Sequence, residues 1–150
     1  MSEQTVDIST LTPEQKQALA QRFAQELNLL QNLGESLQKQ IELLNQNLLE
    51  ISLTTNTLNE LEKNEGEKEI LVSLGSGSFV QGELPKTEKV IVGLGAGVSA
   101  DRTIPEAKKL LEERAETYGK LVERSRGELD KVLSRVNLLQ PQLQALLEAE

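Results

Sequence analysis

Ile70-Leu71-Val72-Ser73-Leu74-Gly75-Ser76-Gly77 returns twenty residues later as Val90-Ile91-Val92-Gly93-Leu94-Gly95-Ala96-Gly97. Seven of the eight paired positions hold the same residue or a close apolar or small match. Each copy is a short β-prone run closed by two glycines, the pattern of a strand entering a tight turn. The spacing predicts two β-hairpins, 69–75 with 78–84 and 88–94 with 97–102. Leu84-Pro85-Lys86-Thr87 links them.

Outward from this β-rich middle the periodicity changes. Before it, seam positions, most of them apolar, alternate by three and four: Ala20, Phe23, Leu27, Leu30, Gly34, Leu37, Ile41, Leu44, Leu48, Ile51, Thr55, Leu58 and Glu62. After it, the same alternation runs through Ile104, Lys108, Leu111, Ala115, Tyr118, Val122, Ser125, Leu129, Val132, Val136, Leu139, Leu143 and Leu146. A mean spacing of about 3.5 residues keeps one stripe on a partner helix, as in a coiled coil. The two seams are equally long, roughly 63 Å at ~1.5 Å per residue. Equal helices around a compact insert predict a mainly α fold, a long antiparallel coiled-coil hairpin with two β-hairpins inserted between its helices. Position i then faces roughly 166 − i. The expected bounds, in a single domain over 1–150, are a helix over 12–65, β-hairpins over 67–102 and a helix over 103–150.

Local signals mark the helix ends. Thr12-Pro13-Glu14-Gln15 and Thr103-Ile104-Pro105-Glu106 both read as capping boxes with proline in the first turn. Gly66 suits a left-handed C-terminal cap for the first helix. Pro141 removes a backbone hydrogen bond from the second, so its last turns should bend or fray.

Composition excludes whole classes of chemistry. The chain has no Cys and no His, hence no disulfide, no thiolate zinc site and no imidazole base. Aromatic residues make up 2%, too few for an ordinary globular core but compatible with a coiled coil. A net charge of −8 repels nucleic acid and anionic lipid. Met1-Ser2-Glu3-Gln4 lacks the features of a signal peptide, and no apolar run reaches membrane-spanning length. A soluble, cytoplasmic protein is the expectation.

No catalytic constellation emerges. Gly93-Leu94-Gly95-Ala96-Gly97 has G-x-G-x-G spacing, not the G-x-G-x-x-G of a dinucleotide site, and Val98-Ser99-Ala100-Asp101 reads as a returning strand. Lys63 and Lys68 interleave Glu60, Glu62, Glu65, Glu67 and Glu69, so that cluster reads as a solvated face and not a metal site. Ser76 and Ser78 have no base to activate them. Neither an enzyme nor a cofactor is expected.

The hairpins need partners. An isolated two-stranded hairpin is marginal in water. Ile70, Val72, Leu74, Phe79, Val90, Val92 and Leu94 give it apolar surface that the helices, busy with their own seams, cannot wholly cover. Pairing with hairpins of other subunits, closing into an intersubunit barrel, removes both edges and exposed surface. These seven residues are the candidate oligomerisation surface.

The order long helix, two hairpins, long helix resembles the α class of prefoldin subunits. Leu71-Val72-Ser73-Leu74-Gly75-Ser76-Gly77-Ser78-Phe79-Val80 and Val90-Ile91-Val92-Gly93-Leu94-Gly95-Ala96-Gly97 are similar to that family's hairpin motifs, and the doubled hairpin points to the α class. The fourth strand departs, with Val98-Ser99-Ala100 where the family often has aromatics. The resemblance implies an ATP-independent holdase. Two α-class chains and four β-class prefoldin subunits would form a heterohexamer with a double β-barrel body. The coiled-coil tips would hold unfolded polypeptide clients and deliver them to a group II chaperonin. On this reading Leu11, Leu19, Phe23, Leu138, Leu143, Leu146 and Leu147 are the candidate client-binding residues, because antiparallel pairing brings both chain ends to the tip. The alternative is a structural coiled-coil scaffold or spacer, or a filament-forming subunit, that holds no client.

Overall fold

A computed structural model describes residues 8–148. The reading of the first seven residues, and of the second helix as far as 149–150, lies outside the described residues. A 3-10 turn at Ile8–Thr10 precedes α1 (Pro13–Lys63). Four strands follow, β1 (Lys68–Gly75), β2 (Ser78–Leu84), β3 (Lys89–Gly95) and β4 (Val98–Thr103), and then α2 (Ile104–Glu148). The order is the expected one, two long helices with two β-hairpins between them.

Both capping boxes form. Thr12 N–H donates to Gln15 Oε1 at 3.0 Å, and Gln15 N–H returns to Thr12 Oγ1 at 3.3 Å. Thr103 N–H donates to Glu106 Oε2 at 3.0 Å, and Glu106 N–H returns to Thr103 Oγ1 at 3.3 Å. Each box satisfies two amides that the first turn leaves without intrahelical partners.

Two expectations at helix ends need correction. Gly66 is not left-handed: the positive-φ glycines are Gly75, Gly77, Gly95 and Gly97. Instead α1 exits through Asn64, whose N–H donates to Leu61 O at 3.3 Å and whose Nδ2 donates to Gly66 O at 3.0 Å. The Asn64 backbone amide satisfies a last-turn carbonyl, and its side chain holds the Gly66 carbonyl just beyond the helix. Nor does α2 fray after Pro141; it continues to Glu148. Leu139 and Leu146, on either side of the proline, are each only 1% exposed. Packing of that order, ~1.5–3 kcal/mol per buried leucine, offsets the hydrogen bond proline cannot make.

The chain divides into two compact units. The first comprises Met1–Leu43 with Leu121–Glu150. Leu27, Leu37, Val122, Val132, Leu139 and Leu146 are its buried apolar side chains, all of them on the expected seams. The site of a Cβ on Gly34 lies 3.6 Å from Val132 Cγ1, and Arg135 Nε donates to Glu26 Oε1 at 2.7 Å. Residues 34 and 132 sum to 166, so the antiparallel register in this unit is the expected one.

The second unit, Leu44–Lys120, carries the strands. Leu58, Ile104, Ala107 and Leu111 make a buried cluster, with Ile51, Leu61, Val90 and Val92 packed against it. Glu62 and Lys108, the charged members of the two seams, pair with each other. The strands form two separate antiparallel sheets, β1 with β2 and β3 with β4. In the first, Val72 faces Val80 and Ser73 faces Phe79; in the second, Val92 faces Ala100 and Gly93 faces Ser99. Both have a register shift just before the turn. The two turns are equally alike: φ is 48° and 74° at Ser76 and Gly77, and 51° and 74° at Ala96 and Gly97. Positive φ at both central residues is the type I′ geometry whose twist suits a hairpin.

Candidate functional site

Alternation along a strand sorts the hairpin residues onto faces. On β3, Val90 and Val92 point towards the helices and are half-buried, whereas Ile91 points away and is 76% exposed. On β1, the repeat-related Ile70 is half-buried but Val72 is 45% exposed, and Leu71 on the other face is 66% exposed. Leu74, Phe79 and Val80 are also exposed. The first hairpin therefore presents apolar side chains on both faces. That is the pattern of a strand pair meant to be covered on both sides.

The second hairpin is tied down. β4 runs into α2 without a linker. Ile104 N–H donates to Glu88 O at 3.2 Å, pinning the approach to β3 against the start of α2. Arg114 Nη2 donates to Gly93 O at 2.9 Å. An open groove of about 330 Å³ remains beside this contact, lined by Ile51, Leu58, Val90, Val92, Leu111 and Tyr118 among others. Of the seven candidate oligomerisation residues, Val72, Leu74, Phe79 and Leu94 are exposed, while Ile70, Val90 and Val92 are half-buried.

The candidate client residues all lie in the other unit. Leu11, Leu19, Phe23, Leu138 and Leu143 are half-buried. Leu146 is buried at 1% exposure, in contrast to its neighbour Leu147 at 58%. The seam thus claims Leu146 and leaves Leu147 to solvent.

Sequence reasoning missed three features. Ser76 and Ala96 share the left-handed geometry of the glycines beside them; the paired turn positions were the available signal. The Arg114–Gly93 hydrogen bond had no sequence signal. Exposed leucines on α1, among them Leu29, Leu33 and Leu43, were visible as leucines outside the seam spacing.

Electrostatics add no reactive centre. Glu116 is held below its ordinary pKa by a hydrogen bond from Lys120 and then by that ammonium's charge; the same contact raises Lys120. The pair is an exposed i,i+4 ion pair of the kind that stabilises helices modestly. Among the described residues, no group of three acidic, His or Cys side chains could hold a metal. No helix there is long and apolar enough to cross a membrane. What this geometry offers is apolar surface for another polypeptide.

The family model described as Prefoldin subunit matches residues 30–149. The chain belongs to the prefoldin family. Prefoldin subunit alpha of Thermofilum pendens is 31% identical over 116 residues, covering 77% of this chain and 90% of that relative. Prefoldin subunit alpha of Pyrococcus horikoshii is 35% identical over 117 residues, covering 77% and 79%. A filamentous PFD structure from Methanocaldococcus jannaschii shares the fold at a TM-score of 0.69 and 21% identity, covering 79% of this chain and 98% of that one. The chain is thus a prefoldin-type chaperone subunit, from a chaperone family and not an enzyme family.

Proposed function

We propose that this subunit assembles through its first hairpin into a hetero-oligomer of two such chains with four β-class prefoldin subunits. In that complex its hairpins contribute to a closed intersubunit barrel. The assembly acts in the cytoplasm as an ATP-independent holdase that takes unfolded polypeptide at the coiled-coil tips and passes it to a group II chaperonin. The observation that carries the reading is the first hairpin, apolar on both faces and exposed at Leu71, Val72, Leu74 and Phe79. Covering that surface at ~25 cal/mol per Å² favours association, and strand pairing removes the free edges. At the tip, Leu147 meets the client first, supported by Leu11, Leu19 and Leu138. Phe23, Leu143 and Leu146 reach it only as the seam opens.

The test is suppression of aggregation of guanidine-denatured malate dehydrogenase by this chain with a β-class partner, without nucleotide. Suppression by the complex is the expected result. Defined assembly without suppression would instead favour the scaffold or filament reading.

A further inference from the structure

Within the first unit, α1 carries a second apolar feature that neither its seam nor its tip explains. Positions 29, 33, 36, 40 and 43 follow one another by four, three, four and three residues, so they share one flank of the helix. They are Leu29, Leu33, Ser36, Gln40 and Leu43, with no charge among them. All five are exposed, and the leucines remain 70%, 49% and 59% accessible. The facing helix is more charged: α2 in the same unit exposes Glu123, Arg126, Asp130 and Lys131 beside Leu121 and Leu133, and pairs Arg124 with Glu128 at 3.1 Å.

We propose that this flank of α1 is a contact strip for a short, extended, apolar segment of a non-native polypeptide. The inference rests on the client-holding reading and locates part of that contact away from the tip. Dimensions favour this occupant. The fourteen steps of helix from 29 to 43 span about 21 Å, which matches about six residues of extended chain at ~3.3 Å each. A second helix would need an apolar seam sustained over several heptads, and Ser36 and Gln40 interrupt this one. Three leucines supply at most a few hundred Å², below the ~800 Å² per partner of a stable interface. That deficit disfavours a second copy of the chain and suits weak, reversible holding. Between the leucines, the Ser36 hydroxyl and the Gln40 amide offer donors and acceptors to an extended backbone whatever its sequence. The absence of charge lets segments of either sign approach.

Two experiments on the full chain, assembled with its β-class partner, test this. In the first, Leu29→Gln, Leu33→Gln and Leu43→Gln are combined. Glutamine has nearly the helix propensity of leucine, so circular dichroism and assembly should be unchanged. The concentration giving half-suppression of malate dehydrogenase aggregation should rise by about tenfold, the equivalent of losing one decade of affinity. In the second, a photo-crosslinking residue replaces Leu33 or, separately, Leu147 in the otherwise unaltered chain. Capture of denatured malate dehydrogenase at both positions is expected. Undiminished holding by the triple variant, or client capture at Leu147 alone, overturns the strip and leaves the holdase reading standing. Capture of another subunit at Leu33 would make the flank an intersubunit contact and also overturns it. No suppression by the unsubstituted complex would reject the client reading itself, and this inference with it.

Discussion

The two hairpins share a sequence repeat, a register and a turn, yet only the second rests on the helices. Val90 and Val92 lie against Leu58, Ile104, Ala107 and Leu111, and Arg114 reaches Gly93 O at 2.9 Å. Ile70 and Val72 are the repeat equivalents of Val90 and Val92, but Val72 is 45% exposed. Side-chain chemistry cannot account for this, since both pairs are β-branched aliphatics, Ile70 with Val72 and Val90 with Val92. Connectivity can. β4 passes directly into α2, so its hairpin must lie beside the first turns of that helix, whereas β1 is separated from α1 by Asn64–Glu67. One helix pair offers one seat, and the hairpin joined to it without a linker takes it. The other has no such seat.

Substitutions can break this contrast, beginning with the seat itself. Ile104 is 3% exposed in the cluster beneath β3. Ile104→Ala should lower the unfolding free energy of the isolated subunit by about 2–5 kcal/mol. Ile70→Ala, in the hairpin without a seat, should lower it by well under half of that. Urea denaturation of the two variants side by side provides the check; equal losses would erase the distinction. The polar tie comes next. Arg114→Gln should cost roughly 0.5–1.5 kcal/mol and increase amide exchange in β3 and β4 while leaving β1 and β2 unchanged, as read by hydrogen exchange. The turns should give the smallest effect and the same one in each hairpin. Ser76 and Ala96 hold positive φ, which asparagine tolerates better than serine or alanine. Ser76→Asn and Ala96→Asn should each gain up to about 1 kcal/mol, measured by the same denaturation. A gain in one hairpin only would show that the turns are not equivalent.

Much of this was legible in the sequence. Every seam position except Glu62 is buried or half-buried, because a strict three-four alternation leaves a helix pair one way to cover its apolar stripe. The strands fell where the glycine pairs placed them, since few residues other than glycine tolerate those backbone angles. Which hairpin the helices would cover was not legible: residues 70 and 72 carry the same pattern as 90 and 92, and the difference lies in a linker. Exposure at the candidate client residues was legible from the seam spacing. Leu146 and Leu147 are adjacent leucines at the same end of α2, and their opposite exposure follows from which one falls on the seam. The flank of Leu29, Leu33 and Leu43 escaped notice because single exposed leucines are common; their shared face becomes informative only once the seam is fixed.

The central claim is that the first hairpin depends on the assembly for its cover, whereas the second is also seated on the subunit's own helices. Native mass spectrometry of the chain with a β-class prefoldin partner, comparing Val72→Asp with Val92→Asp, tests it most directly when thermal unfolding of each isolated variant is recorded alongside. Val72→Asp should leave the subunit's own melting transition close to that of the unsubstituted chain and abolish the defined hetero-oligomer. Burying an unpaired carboxyl group in a closed interface is costly whether it stays charged or takes up a proton. Val92→Asp should lower the melting transition of the isolated subunit itself. A Val72→Asp chain that still enters the full complex would contradict the account.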